Sequence, residues 1–244
     1  MELVMKNSKC SVGVLGHGRF GSMAVQYLSR DLPVCWHDPA ERGGSGLEET
    51  LAADIILLCV PISGLRQVCG QIAPHLRPGQ MVMDTCSVKV LPLSWMLEML
   101  PASVDVLGTH PLFGPDSGRN GIRGLKIALC PGRGNRIGPV RAYLESLGLQ
   151  VLETSPEQHD REMAETQAVF HLVSRAIQQA DLGRRRISTP GPEQFFDLLT
   201  SLQNDSVELF FDLESQNPYA AAVRRRLIQA LISLDEEIAR RGDE

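Results

Sequence analysis

The chain has no apolar run long enough to cross a bilayer. Its longest, Ile55 to Ile62, falls far short of the roughly 20 residues a helical span needs. It lacks an excess of positive charge too. Lysine plus arginine number 24 against 29 aspartate plus glutamate, a formal net charge of −5, which argues against nucleic-acid or anionic-membrane partners. The six cysteines, at 10, 35, 59, 69, 86 and 130, form no C-x-x-C pair and sit mostly in apolar stretches. They read as small buried hydrophobes of a reducing compartment, and no metal site is expected. Lysine occurs only at 6, 9, 89 and 126. Residues 1–10 carry Glu2, Lys6 and Lys9 and no hydrophobic signal segment. A soluble cytoplasmic protein is the expectation.

What is present is ordinary in amount and specific in order. With 244 residues, 43% hydrophobic and 22% charged, there is room for one large domain or two small ones. The first 150 residues alternate short apolar runs with amphipathic stretches. Strands are expected at 11–15, 33–37, 54–60, 81–84, 104–107 and 127–130, with a helix ending near Arg30. The run at 54–60 is apolar throughout, as a strand covered on both faces should be. Such alternation means βαβ units and a Rossmann-type, doubly wound, mostly parallel α/β sheet. After Val151–Glu153 strand signals vanish and apolar residues recur at helical spacing, for example Leu227, Ile228, Leu231 and Ile232. A dinucleotide-binding domain is therefore expected over 1–153 and a smaller all-helical domain over 154–244, broken once between Gly183 and Pro192. Charge divides in the same way: residues 1–152 carry 14 basic and 12 acidic side chains, residues 153–244 carry 10 and 17. The second part is short for an independent core yet rich in Phe195, Phe196, Phe210, Phe211 and Leu213, so pairing of two copies into a homodimer is expected.

Gly16-His17-Gly18-Arg19-Phe20-Gly21 is a G-x-G-x-x-G directly after a strand and opening a helix. The first glycine permits the tight turn, the second admits a pyrophosphate to the backbone, and the third brings helix close to strand. Asp38 closes the next strand 22 residues after Gly16, where a carboxylate grips the adenosine ribose and repels a 2′-phosphate. NAD is the expected cofactor; the nearby Arg42 keeps NADP as the lesser alternative. A tight structural turn and a helix-capping aspartate are the bland counterparts. Val60 and Pro61 follow the third strand at its carboxyl end, where ligands of such sheets lie.

Two more strand ends carry Asp84–Lys89 and Gly108–Gly118. Polar residues at two carboxyl ends of one sheet converge on one crevice. There His110 can take a hydroxyl proton at neutral pH and Ser87 can orient that hydroxyl, against the readings of a turn histidine and a helix N-cap. In the second part, Gln167 and His171 are four apart and share a helix face. Asp160 reads as a charge complementing a helix dipole, and His171 reads equally well as a core histidine. The arginine triplets 184–186 and 224–226 read as solvated faces.

At this point the chain resembles the prephenate/arogenate dehydrogenase family, over roughly residues 10 to 235. The likeness rests on Gly16–Gly21, Asp84–Lys89, Thr109–Gly118, Glu157–Asp160, and Gln167 with His171, in that order and spacing. Thr109–Gly118, Asp205-Ser206 and Asn217 are most similar to plant-type arogenate enzymes. The resemblance implies NAD(P)-linked oxidative decarboxylation of prephenate or arogenate in tyrosine biosynthesis, with a helical domain that dimerises. It implies His110 as the base for the C4 hydroxyl, Ser87 beside that hydroxyl, and Asp116, Gln167 and His171 toward the small-molecule substrate. Two departures stand out: many members carry a carboxylate-binding arginine near 199–202, where this chain reads Leu-Thr-Ser-Leu, and the plant-type enzymes usually take NADP, whereas Asp38 points to NAD. Two rivals remain. A β-hydroxyacid dehydrogenase would need a lysine in the second domain, and none follows Lys126. A catalytically silent dinucleotide-binding regulator is supported only by the missing arginine.

Overall fold

The computed structural model describes residues 10–200 and 205–242, and the chain divides into two compact units between His159 and Asp160. That division lies a few residues beyond the change of texture at Glu153. The first unit is built on seven strands: β1 (Val12–Leu15), β2 (Val34–His37), β3 (Ile55–Leu58), β4 (Met81–Asp84), β5 (Asp105–Pro111), β6 (Lys126–Arg133) and β7 (Gln150–Glu153). Their order is β2-β1-β3-β4-β5-β6-β7. All neighbours are parallel except β5 and β6, which run antiparallel. Among the described residues five α-helices and a 3-10 turn (Ala73–His75) connect them: α1 (Arg19–Leu28), α2 (Leu47–Leu51), α3 (Ile62–Ile72), α4 (Val90–Met99) and α5 (Ile137–Ser146).

Burial follows the sequence pattern. Every residue of β1, β3 and β4 is buried, as continuous apolar strands between helical layers must be. Register aligns Leu15 with Leu58, Leu58 with Asp84, and Asp84 with Gly108. Leu15, Leu58 and Asp84 each end a strand, so the loops after β1, β3 and β4 start from one edge of the sheet, the edge on which strand order reverses between β1 and β3. Ligands of open α/β sheets bind at such a point.

β5 is longer than the sequence suggests. It runs on through His110 to Pro111 because β6 folds back beside it, pairing His110 with Ala128 and Pro111 with Ile127. His110 thus sits within a strand and not after one. Local patterning could not show this, because the extra length is stabilised by a partner strand distant in sequence.

The second unit is helical. α6 (Pro156–Met163) passes through a π-helical turn (Ala164–Ala168) into α7 (Val169–Gln179), followed by α8 (Pro190–Thr200), α9 (Val207–Gln216) and α10 (Ala220–Gly242). Its small core packs Ala164, Ala168 and Ala220 with Tyr219 and Val223. The break expected from Gly183 to Pro192 closes earlier, since α8 begins at Pro190. A first helical turn has no need of proline's missing N–H, so Pro190 and Pro192 start the helix without breaking it. Among the described residues no helix is long and apolar enough to cross a membrane.

Candidate active site

Gly16 leaves β1 with φ of +93°, a left-handed conformation, and a Cβ there would lie 2.3 Å from the Cys59 carbonyl oxygen. At Gly21 a Cβ would lie 2.0 Å from the Gly16 carbonyl oxygen, while at Gly18 it would meet nothing within 4 Å. The turn is therefore closed against the sheet and open at Gly18, the side from which a pyrophosphate approaches. The helix N-terminus at Gly18 carries no side-chain cap, and a helix N-terminus of this kind favours an anion. The turn fits a dinucleotide.

Asp38 follows β2 and faces the same turn. Its carboxylate accepts the His17 backbone N–H at 2.8 Å and the Ala40 N–H at 2.9 Å. Those hydrogen bonds hold the carboxyl below the usual carboxylate range, so it is anionic at neutral pH. It caps no helix, because residues 38–46 form a loop. His17 also stacks its ring on Trp36, centroids 3.7 Å apart, and brings Nδ1 within 2.7 Å of Glu41 Oε2.

Arg19 and Phe20 reach across to the loop after β5. Arg19 donates to Asp116 at 2.7 Å, and the Phe20 and Phe113 rings lie 6.4 Å apart. Asp116, expected toward substrate, thus ties that loop to the glycine turn. Val60 is half-buried and Pro61 exposed at the end of β3, where the Val60 carbonyl oxygen accepts from Cys86 Sγ at 3.9 Å. Burial pushes the neighbouring Cys59 thiol up to about 12, which leaves it inert.

His110 lies at the heart of this edge, 4% exposed. Its Nδ1 is 2.9 Å from Nε2 of His159, and the rings meet edge-on with centroids 5.1 Å apart. Burial first, then His159 and the Lys89 ammonium, hold the imidazole well below the ordinary 6.5, so it is neutral at physiological pH. Ser87 stands half-buried after β4. It does not cap α4: that place belongs to Lys89, and no side chain makes a cap bond there.

Behind His110 lies a buried ion pair. Asp84 and Lys89 are both fully inaccessible and hydrogen-bonded to each other. Lys89 Nζ also donates to the Thr109 carbonyl oxygen at 2.6 Å, and Asp84 accepts the Cys86 N–H at 3.0 Å and the Thr109 N–H at 3.2 Å. Both backbone groups of the residue before His110 are clamped by one salt bridge. The stretches Asp84–Lys89 and Glu157–Asp160 carry the resemblance, but sequence reasoning gave no role to Lys89 or His159. Lys89 had a further signal, being one of four lysines; nothing local ties His159 to His110, 49 residues away.

In the helical unit, Gln167 lies in the π-helical turn, a rare geometry that concentrates at functional sites, and its Oε1 is buried with no partner. His171 is buried, with Nε2 3.7 Å from Asp205 Oδ2. Burial lowers its pKa against the pull of Asp205. Asn217 donates to the Asp160 carbonyl oxygen at 2.8 Å and accepts the Tyr219 N–H at 2.9 Å, a structural role. Arg184, Arg224 and Arg226 pair with Asp197, Glu214 and Glu165. Of the stretch expected to carry an arginine, Leu199 is buried, while Ser201 and Leu202 lie outside the described residues.

Residues 39–153 match the family model described as prephenate dehydrogenase, nucleotide-binding domain, and residues 176–244 match one described as TYRAAT1-like, C-terminal domain. The chain is 30% identical over 258 residues to arogenate dehydrogenase 2, chloroplastic, of Arabidopsis thaliana, covering 96% of this chain and 71% of that protein. It is 29% identical to the 4-amino-4-deoxyprephenate dehydrogenase of Streptomyces pristinaespiralis, covering 97% and 86%. The fold is shared with the prephenate dehydrogenase of A. aeolicus solved in complex with hydroxyphenyl propionate and NAD+. That likeness has a TM-score of 0.74 at 19% identity, over 97% of this chain and 93% of that one.

Proposed function

The chain belongs to the prephenate/arogenate dehydrogenase family, and from that premise we propose that it oxidatively decarboxylates arogenate with NAD in tyrosine biosynthesis. The observation that carries the reading is a neutral, buried His110 at the sheet edge that holds the glycine turn and Asp38.

A general base must be unprotonated, and burial beside His159 and Lys89 keeps His110 so. The 2.9 Å contact with His159 engages Nδ1 and supports Nε2 as the working nitrogen. For Nε2 to hold the accepting lone pair, Nδ1 must carry the proton and donate it to Nε2 of His159. His159 thereby orients the base, as a third group does in catalytic triads. His110 takes the C4 hydroxyl proton while Ser87 orients that hydroxyl. Bound NAD supplies the hydride acceptor for C4. As the ring carboxylate departs as carbon dioxide, its electron pair moves through the ring toward the C4 oxygen. His110 returns the proton there, leaving a phenol.

Two features support arogenate over prephenate. The 30%-identical relative is an arogenate enzyme. Asp205, beside His171, offers a carboxylate suited to arogenate's ammonium group. Gln167, with its buried unpartnered amide oxygen, joins His171 as the substrate-binding pair of the helical unit. The anionic Asp38 supports NAD over NADP. The six free cysteines suit a reducing cytoplasm. The apolar side chains left exposed on α8, α9 and α10, among them Leu198, Phe211, Leu231 and Ile238, support a homodimer through the helical unit.

Turnover with arogenate and prephenate, each with NAD and NADP, tests the reading. Arogenate with NAD should give the highest kcat/KM. Turnover with no pair would establish the silent regulator instead.

A further inference from the structure

Two loops frame the place where a Rossmann sheet receives the adenosine half of a dinucleotide: the glycine turn after β1 and the segment after β2. One residue joins them three ways. The His17 backbone N–H is bound by Asp38 at 2.8 Å, its ring lies on Trp36 at 3.7 Å and an interplanar angle of 12°, and its Nδ1 meets Glu41 Oε2 at 2.7 Å. Trp36 is itself backed by the loop: a Cβ on Gly44 would lie 2.7 Å from the indole carbons, and the Ser45 N–H donates to the Trp36 carbonyl oxygen at 2.8 Å. The stacked ring cannot rotate freely, so the direction in which it holds Glu41 is set.

Asp38 and Glu41 are thus two carboxylates held by one histidine, one by its backbone and one by its ring. The neighbouring Arg42 is exposed. An arginine just past the second strand is the usual means of accepting a 2′-phosphate, and an ordered carboxylate next to it cancels that attraction.

We propose that Glu41, set in place by the stacked His17, is a second specificity-determining residue that refuses a 2′-phosphate on the adenosine ribose and masks Arg42. The inference rests on the NAD reading above and extends it from Asp38 to a pair. A single carboxylate at the ribose selects by hydrogen bonding to the 2′-hydroxyl. A second, half-exposed one acts by charge alone, so its effect must fade with salt.

The test is calorimetric binding of ADP-ribose and of its 2′-phosphate to the intact chain, needing no turnover, at low and at 0.5 M salt. Glu41→Gln is near-isosteric and removes the charge. It should tighten the 2′-phosphate ligand about tenfold at low salt and leave ADP-ribose within about twofold. The gain should shrink at high salt and disappear in Glu41→Gln with Arg42→Gln. Asp38→Asn, the comparator, should instead weaken ADP-ribose. Equal changes for both ligands in Glu41→Gln, or no change in either, would overturn the role of Glu41 while leaving that of Asp38 intact. A wild-type chain preferring the 2′-phosphate ligand would overturn the NAD reading itself.

Discussion

Lys89→Met removes the ammonium from a fully buried ion pair and keeps most of the side-chain volume. Asp84 is then left as an inaccessible carboxylate held by the Cys86 and Thr109 N–H groups without a countercharge from Lys89, and the Thr109 carbonyl oxygen loses its 2.6 Å donor. Breaking a buried pair from one side costs about 3–5 kcal/mol, because the surviving charge stays desolvated. For a chain of this size each kcal/mol lowers Tm by about 2–4 °C, so a fall of roughly 6–20 °C is expected. Asp84→Asn added to Lys89→Met makes the site neutral and restores hydrogen-bonding capacity toward Thr109. The double variant should be more stable than Lys89→Met alone, with a coupling of about 1–3 kcal/mol. Urea unfolding followed by the fluorescence of Trp36 and Trp95 reads this directly, provided the dependence on denaturant is unchanged. If Lys89→Met lay within about 1 kcal/mol of wild type, or if the two substitutions were additive, the ion pair would not be the clamp described.

His110→Asn should lower kcat by roughly 10²–10⁴-fold and leave ADP-ribose affinity unchanged, since the glycine turn is separate; a near-normal kcat would make His110 structural. Because its pKa is lowered, the acid limb of kcat/KM should fall below the ordinary 6.5, and a limb at or above that value would contradict the buried, neutral base. The same shift links to stability: the unfolded chain takes up this proton first, so stability present above 6.5 is lost as pH falls from there through the folded-state pKa, and His110→Gln should flatten that slope in urea titrations. His159→Phe removes the acceptor that orients His110 and should cost kcat about 2- to 10-fold with the KM for NAD unmoved; a change confined to KM would assign His159 elsewhere. Light scattering at micromolar concentration should give twice the 26.8 kDa chain mass, and a stable monomer would refute pairing through the helical unit.

The alternation of strand and helix, the glycine turn with its carboxylate 22 residues on, and the change to helical spacing after Glu153 were legible in the chain. Each depends on chemistry local in sequence: apolar period, backbone permissiveness at glycine, a residue at the end of a strand. A strand such as Ile55–Leu58 declares itself because both its faces must be apolar. Tertiary structure alone decided what lies beside what. β5 continues through His110 only because β6 returns antiparallel to pair with it. His110 meets His159, Arg19 meets Asp116, and His17 gathers Trp36, Asp38 and Glu41 across separations of 19 to 97 residues. No periodicity encodes such pairs, since many placements of a polar side chain satisfy the same local pattern. Folding selects among them by burial, where a histidine or lysine without a partner is too costly to keep. The chain carries the identities of the site residues; the protonation of His110, and the tautomer the proposed chemistry requires of it, belong to the packed interior that surrounds it.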